Sequence, residues 1–177
     1  MKNLSNVVGW KKFDEPRPYA TIGGIAFDDH GRLPILYRGP NIRSAKNCWS
    51  LVTGLHEVGL TAAEQFAAEL KEECGVEACF DTFDPINIGF FENIAPEIEN
   101  APNDPQWHWI IHITALRVKT LETFVNKEPD KHPEHRIVTL EELFDFIPHS
   151  KWAGGLGEFL TANVDKVFAA RFDLCGF

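Results

Sequence analysis

The sequence lacks any apolar run long enough to span a membrane. A transmembrane helix needs about 20 predominantly apolar residues, and the most apolar stretch, residues 107–116, is interrupted by His108 and His112. Residues 1–10 also lack the apolar core that a secretory leader has. We therefore expect a cytoplasmic protein that does not bind membranes.

Cysteine is scarce too, with four residues in a chain of 177. No two of them form a Cys-x-x-Cys pair, and no histidine spacing completes a zinc site. In a chain without a leader, reduced thiols are a simpler interpretation than disulfides. We therefore expect neither a disulfide framework nor a zinc finger.

Lysine and arginine are also few relative to the acidic residues. The formal net charge is −9, which argues against a protein that binds a nucleic-acid polymer, because phosphate contacts need Lys and Arg. Between residues 51 and 105 the only basic side chain is Lys71, against twelve acidic ones. Such an acidic segment is either a solvated surface or a site for a cation.

Hydrophobic periodicity and turn residues predict a mixed α/β protein. The pattern at residues 28–31 predicts a hairpin turn that joins the first two strands. No linker divides the chain, so we expect one domain over residues 1–177. The predicted strands are 19–27, 33–38, 49–52, 85–92, 107–119 and 136–138, and the predicted helices are 62–74, 139–146 and 155–172.

The helix at residues 62–74 has the clearest start and stop signals. Thr61 is a good N-cap residue, and Glu64 completes a capping box with it. Gly75 suits the left-handed conformation in which many helices end. The acidic residues of this helix are therefore the ones whose relative positions the sequence fixes best.

Glu69, Glu72 and Glu73 follow the i, i+3, i+4 spacing, which places them on one side of that helix. Like charges at this spacing repel by a few tenths of a kcal/mol per pair. A hard divalent cation such as Mg²⁺ or Mn²⁺ would make this clustering favourable, because it binds carboxylate oxygens and offsets their mutual repulsion. From spacing alone, a solvated acidic stripe is the commoner explanation of the pattern.

Residues 54–76 read GLHEVGLTAAEQFAAELKEECGV. This segment resembles the Nudix box, Gly-x5-Glu-x7-Arg-Glu-U-x-Glu-Glu-x-Gly-U, where U is a bulky aliphatic residue. Weaker flanking similarity extends the resemblance over residues 18–146, and residues 147–177 add a C-terminal helix. The matching positions are Gly54, Glu69, Leu70, Glu72, Glu73, Gly75 and Val76.

The resemblance implies a Nudix-like α/β/α sandwich with a mixed sheet. It implies metal-dependent hydrolysis of the pyrophosphate bond in a nucleoside diphosphate linked to another moiety. The substrate would be a small nucleotide-type molecule, the cofactor Mg²⁺ or Mn²⁺, and the assembly a homodimer, as is common among similar proteins.

The resemblance also assigns roles to particular residues. Its catalytic candidates are Glu69 and Glu72, with Glu69 as the base that activates water and Glu134 as an alternative base. The implied metal ligands are Gly54, through its carbonyl, together with Glu69, Glu72 and Glu73.

The remaining candidates are substrate contacts. Arg38 ends the second predicted strand, and its planar guanidinium can donate two parallel hydrogen bonds to a phosphate. Trp109 lies on a predicted strand, where it can stack on a base, pack at a dimer interface or pack in the core. The full set of substrate-binding candidates is Arg38, His56, Glu57, Trp109 and Glu134, and further possible phosphate contacts are Arg17, Arg43 and Lys46.

Two positions depart from the box. Leu60 stands where the family has its first Glu, and Ala68 stands where the family has the Arg that orients Glu69. The fold tolerates both residues, but the support of a metal site is weakened. The alternative function is therefore a weakly active or inactive nucleotide-binding or regulatory domain.

Overall fold

Seven strands and four α-helices make up the part of the chain that the structure, a computed structural model, describes: residues 18–42, 44–80, 83–95 and 107–177. The strands are β1 (Pro18–Phe27), β2 (Leu33–Arg38), β3 (Cys48–Ser50), β4 (Val52–Leu55), β5 (Ile86–Ala95), β6 (Trp107–Arg117) and β7 (Glu134–Val138). The helices are α1 (Ala62–Cys74), α2 (Leu140–Phe146), α3 (Leu156–Ala162) and α4 (Val164–Cys175), with 3-10 turns at Ile147–His149 and Ala153–Gly155.

The strands form two sheets. A four-stranded sheet has the order β4-β1-β6-β5, in which β1 and β6 are parallel and the other pairs are antiparallel. A three-stranded antiparallel sheet has the order β3-β2-β7. Helix α1 packs on one face of the mixed sheet, and α3 and α4 pack on the other. The predicted α/β/α sandwich with a mixed sheet is thereby confirmed.

Helix α1 lies unusually close to the mixed sheet. A Cβ atom added at Gly24 of β1 would lie 2.1 Å from the ring of Phe66, so only glycine allows this approach. Phe66, Leu70 and Cys74 are fully buried on the inner side of the helix, as its periodicity predicts. Burial of a side chain such as Phe66 or Leu70 contributes roughly 1.5–3 kcal/mol. The helix that carries the acidic residues is therefore firmly held.

The predicted hairpin between the first two strands is wrong. The turn itself forms, because Gly31 adopts a φ of 67° and its N–H donates to the Asp28 carbonyl over 2.9 Å. However, β1 pairs with β4 and β6, whereas β2 pairs with β3 and β7. The turn therefore leads the chain from one sheet to the other, and local turn chemistry does not specify the pairing partner.

Two other predicted elements are divided in the structure. The strand predicted at residues 49–52 is two strands, β3 and β4, which belong to different sheets. The helix predicted at residues 155–172 is interrupted at Asn163, whose φ of −116° is not helical and whose side-chain amide donates to the Phe159 carbonyl. Apolar periodicity continues across this break, so the sequence pattern does not reveal it. None of the helices in the described ranges is long and apolar enough to cross a membrane.

Candidate metal centre and active site

The caps of α1 fix which of its acidic residues point inward. Thr61 and Glu64 form the predicted capping box, and Gly75 ends the helix with a φ of 68°. Between these ends, the side chains of Glu69 and Glu73 are partly covered, whereas Glu72 is exposed. The three acidic residues predicted to share one site therefore lie in two environments.

Glu69 lies directly over the backbone of β4. A Cβ atom added at Gly54 would come within 1.9 Å of Glu69 Oε1, so the glycine provides the space for this carboxylate. The buried side chain of Gln65 donates from Nε2 to Glu69 Oε1 over 2.8 Å, and its own Oε1 accepts the Glu57 N–H. Burial raises the pKa of Glu69, and the charge of Glu72 adds to this effect.

Glu73 lies one turn further along α1 and is more deeply placed. Its side chain is 12% exposed, and its Oε2 has no hydrogen-bond partner among the described residues. Burial, followed by the charges of Glu69 and Glu128, raises the pKa of Glu73 to about 8. Such a carboxyl resists ionisation unless a cation lies beside it.

A loop at residues 125–132 closes over this end of α1. The Val125 N–H donates to the Cys74 carbonyl and the Lys127 N–H donates to the Glu73 carbonyl, each over 2.9 Å. On its other side, the Lys131 carbonyl accepts a hydrogen bond from Gly39, next to the end of β2. Backbone hydrogen bonds on two sides therefore hold this loop against Glu73.

The loop brings two further metal-binding groups to Glu73. Neither is among the ligands predicted from the sequence. They are Glu128 and His132, which with Glu73 place one potential ligand atom each within 4.8 Å of one another. Glu128 is 22% exposed and receives a hydrogen bond from Lys131, whereas His132 is 3% exposed. Burial lowers the pKa of His132, which favours the neutral imidazole, and a hydrogen bond to the Tyr37 backbone partly opposes this.

This chain resembles known proteins in its structure but not in its sequence. No protein-family model matches the chain, and no curated protein matches it either. Among solved structures, the MutT protein from Methanosarcina mazei Go1 superposes with a TM-score of 0.60 at 16% identity, over 86% of this chain and 96% of that one. The MutT protein from Bacillus halodurans gives 0.53 at 16% identity, over 81% and 80%. The chain has the Nudix fold.

A third structure of the same fold belongs to a longer protein. The bifunctional NMN adenylyltransferase/ADP ribose pyrophosphatase from Francisella tularensis superposes with a TM-score of 0.60 at 13% identity, over 89% of this chain and 44% of that one. At such identities the likeness establishes the Nudix fold alone. The chemistry of the site therefore depends on which residues this chain places there.

The loop between β4 and α1, which belongs to the Nudix-like box, carries two of the predicted substrate contacts. His56 Nε2 lies 2.8 Å from the Leu60 carbonyl, so this ring is engaged within its own loop. The side chain of Glu57 is exposed, while its backbone N–H is held by Gln65. The loop therefore places Glu57 close enough to Glu69 for its charge to raise the pKa of Glu69.

Arg38 lies near the carboxylates of the Nudix-like site, and its Nε and Nη2 atoms are bonded to backbone carbonyls. Its guanidinium donates to the Ser44 carbonyl over 2.9 Å and to the Ala45 carbonyl over 3.2 Å. Burial lowers the pKa of Arg38, while the charge of Glu73 opposes this effect. Arg38 thus holds the segment after β2 and also places a positive charge near Glu73.

The last two predicted contacts, Trp109 and Glu134, each have a partner outside the carboxylate cluster. Trp109 on β6 packs against Tyr19 of β1 with ring centroids 5.2 Å apart. Glu134 begins β7, is 51% exposed and accepts a hydrogen bond from Arg136 over 3.1 Å. Arg17, Arg43 and the acidic segment 96–105 lie outside the described residues.

Proposed function

We propose that this chain is a metal-dependent hydrolase that cleaves the pyrophosphate bond of a nucleoside diphosphate linked to another moiety. The observation that carries the proposal is the pair of inward-facing carboxylates, Glu69 and Glu73, with Gln65 holding Glu69 in place on a Nudix fold. Like charges are costly to bury together, and a divalent cation removes that cost.

The donor set fits such a cation. Glu73 Oε2 and Glu128 Oε2 are buried without a hydrogen-bond partner, and an unsatisfied charged oxygen is expensive to bury. We propose that Mg²⁺ or Mn²⁺ binds to the Gly54 carbonyl, Glu69, Glu72 and Glu73. A bound ion of this kind polarises a phosphoryl oxygen and lowers the pKa of water.

Glu69 is our candidate for the base. Gln65 holds one of its oxygens, so the other is the one that accepts a proton from the attacking water. Burial raises the pKa of Glu69 towards the range in which a carboxylate works best as a base near neutral pH. We prefer it to Glu134, whose carboxylate is paired with Arg136. Glu72 is exposed, and we assign it to the solvent side of the site.

The alternative is a nucleotide-binding or regulatory domain with little turnover. Leu60 and Ala68, which replace the Glu and the Arg of the box, favour it. Against it stands the Gln65–Glu69 hydrogen bond, because a buried amide here orients the carboxylate that the missing Arg would orient. We therefore place hydrolysis first.

The proposal extends to the residues that contact the substrate. We propose that Arg38 contacts a phosphate after exchanging its bonds to the Ser44 and Ala45 carbonyls. His56 and Glu57 lie in the loop that precedes α1, beside Glu69, and are proposed to contact the substrate from there. Trp109 is proposed to stack on a base.

The cellular setting is a further part of the proposal. We propose a cytoplasmic protein that acts on a small molecule and binds neither a nucleic-acid polymer nor a membrane. The four cysteines are free, which suits a reducing compartment. A homodimer stays a prediction, which sedimentation velocity of the purified chain would decide.

The deciding experiment is a screen of nucleoside diphosphate derivatives with Mg²⁺ and with Mn²⁺, in which products are identified by mass. ADP-ribose belongs in the screen because one structural neighbour is named as an ADP ribose pyrophosphatase. We expect hydrolysis that EDTA abolishes and that Glu69→Gln lowers at least about 100-fold. Tight binding without turnover in the wild type would support the regulatory alternative instead.

A further inference from the structure

His132 is an unusual residue to find buried beside acidic groups. Its side chain is 3% exposed, and its Nδ1 atom has no hydrogen-bond partner among the residues that the structure describes. A buried polar atom without a partner costs free energy, so such atoms are rare in folded proteins. A purely structural histidine at this depth would be expected to have that bond, so the burial of the ring beside acidic groups needs another explanation.

The spacing between His132 and the acids suits a shared ion. His132 Nε2 lies 3.9 Å from Glu73 Oε1, which is too long for a hydrogen bond. Two ligands bound to one ion at about 2.1 Å each can lie up to about 4.2 Å apart, so this distance matches a bridged pair. Glu128 completes the group, since the three ligand atoms lie within 4.8 Å of one another.

The loop that carries Glu128 and His132 is built to hold this arrangement. The Asn126 side chain accepts the Glu128 N–H and donates to the His132 carbonyl, so it joins both ends of the turn. The His132 N–H in turn donates to the Glu128 carbonyl over 2.8 Å. Together with the backbone bonds to α1, these contacts hold the backbone at both residues, so the positions from which the two side chains extend do not depend on an ion.

We propose that Glu73, Glu128 and His132 form a metal site with a nitrogen ligand, which favours a divalent transition metal over Mg²⁺. Imidazole is a poor ligand for Mg²⁺, which prefers oxygen, and a better one for Mn²⁺ and the metals that follow it. The inference rests on the proposed function only in sharing Glu73 with the catalytic metal centre. It adds a ligand that lies outside the Nudix-like box and a preference among metals.

The atoms that face the group agree with this role, because His132 Nε2 is the ring nitrogen that lies 3.9 Å from Glu73 Oε1. Glu128 contributes one oxygen to Lys131, over 2.6 Å, while its Oε2 has no partner. Each of the three side chains therefore has an atom available for an ion.

The test is electron spin-echo spectroscopy of the Mn²⁺-loaded protein, which detects nitrogen bound to the ion directly. We expect nitrogen modulation in the wild type and its loss in His132→Gln. His56→Gln is the matched control, because His56 lies within the box itself and its ring is engaged with the Leu60 carbonyl. That variant should keep the nitrogen signal.

Binding measurements by calorimetry supply a second readout. His132→Gln should weaken Mn²⁺ binding about 10-fold or more and Mg²⁺ binding by less than about threefold. If His132→Gln does not fold, Glu128→Gln serves in its place, and we expect it to weaken both ions while the nitrogen signal of the wild type stands.

The outcomes separate this inference from the proposed function. Wild-type protein that binds Mn²⁺ without nitrogen modulation would overturn the nitrogen ligand, whether or not the protein hydrolyses nucleotides. A nitrogen signal that persists in folded His132→Gln would overturn it as well. A nitrogen signal without any hydrolysis would support the metal site and count against the hydrolase.

Discussion

The two faces of the mixed sheet are built from different chemistry. On the face of α3 and α4, the core is apolar and rich in aromatic pairs, such as Phe91 with Phe159 at 4.9 Å. On the face of α1, apolar residues such as Phe66 share the interior with buried or nearly buried polar groups. The polar groups on that face include Gln65, Glu73 and His132.

This difference separates stability from function. Apolar burial stabilises a fold without regard to direction, whereas each buried polar group costs free energy unless it has a partner. The α1 face, where carboxylate oxygens are buried without hydrogen-bond partners, therefore contributes less to the stability of the fold than a purely apolar face would. We expect substitutions on the two faces to affect different measurements.

The largest expected effect on stability is at Leu160, which is fully buried on the α3 and α4 face. Leu160→Ala should lower the free energy of unfolding by about 3 kcal/mol, because the substitution leaves a cavity. Turnover per folded molecule should not change. Urea denaturation and steady-state kinetics measure the two quantities.

Glu158→Ala, at an exposed position of the same helix, is the control and should leave both values unchanged. If Leu160→Ala instead lowered turnover of the folded protein, the two faces would not be separable in this way.

The next effect concerns pH and the metal-free protein. The pKa of Glu73 is raised from 4.5 to about 8, so the folded state holds a proton that the unfolded state releases between these values. Stability must then fall as pH rises from about 4.5 to about 8, because the unfolded state releases this proton before the folded state does. Glu73→Gln should flatten this fall in EDTA and remove most of the stabilisation that Mn²⁺ gives.

Thermal melts across this pH range, with EDTA and with Mn²⁺, test the prediction. Glu72→Gln, on the exposed side of α1, should retain the wild-type pH dependence. An equal pH dependence in wild type and Glu73→Gln would show that Glu73 is not the group responsible.

A smaller effect is expected from Gln65, which acts on activity through Glu69. Gln65→Met keeps the length of the side chain but removes its hydrogen bonds to Glu69 and to the Glu57 N–H. We expect kcat to fall about tenfold, equal to about 1.4 kcal/mol. The pH profile of kcat should also shift, because the pKa of Glu69 loses a bond that lowers it.

Lys71→Met, on the exposed side of the same helix, is the matched control. A fall in stability with unchanged kcat in Gln65→Met would assign Gln65 to packing alone.

Local signals explain what the sequence predicted correctly. The start of α1 depends on Thr61 and Glu64, and its end depends on Gly75, and all three act within one turn of the helix. Its buried side follows from a period of 3.6 residues. Such features need no knowledge of the rest of the chain, and the Nudix fold followed from the box that they frame.

Long-range contacts explain what the sequence missed. Glu128 and His132 lie more than 50 residues after Glu73, and hydrogen bonds between the 125–132 loop and α1 bring them together. No spacing rule relates a helix to a loop at that distance. The weaker family resemblance over residues 18–146 includes this loop, but the residue predicted from that region was Glu134 instead.

Strand pairing failed for the same reason. The turn after β1 is encoded by Asp28 and Gly31, but whether β2 joins the same sheet depends on β6 and β7, far along the chain. The helix break at Asn163 was missed for a different reason. The break is local, but the apolar periodicity of the sequence continues across it.

The smallest expected effect sharpens the comparison within the α1 face. Ala68 is exposed and borders a shallow depression with Lys71 and Glu77, whereas Gln65, one turn earlier on α1, is buried. Ala68→Arg should leave stability almost unchanged, because Ala and Arg have similar helix propensities. It should change kcat by less than about threefold, or about 0.6 kcal/mol, because Gln65 already orients Glu69.

A double-mutant cycle shows whether the amide and the arginine perform the same task. If Gln65 replaces the arginine of the box, Ala68→Arg should restore activity to Gln65→Met by more than it adds to the wild type, since two supports of one carboxylate are not additive. Kinetics of the four proteins with Mn²⁺ measure this coupling. A large gain in the wild type, about tenfold, would mean that Gln65 leaves Glu69 poorly oriented and that the natural site is a weakened one. Equal gains in both backgrounds would mean that the two side chains act independently, and that the hydrogen bond to Glu69 is not what compensates for Ala68.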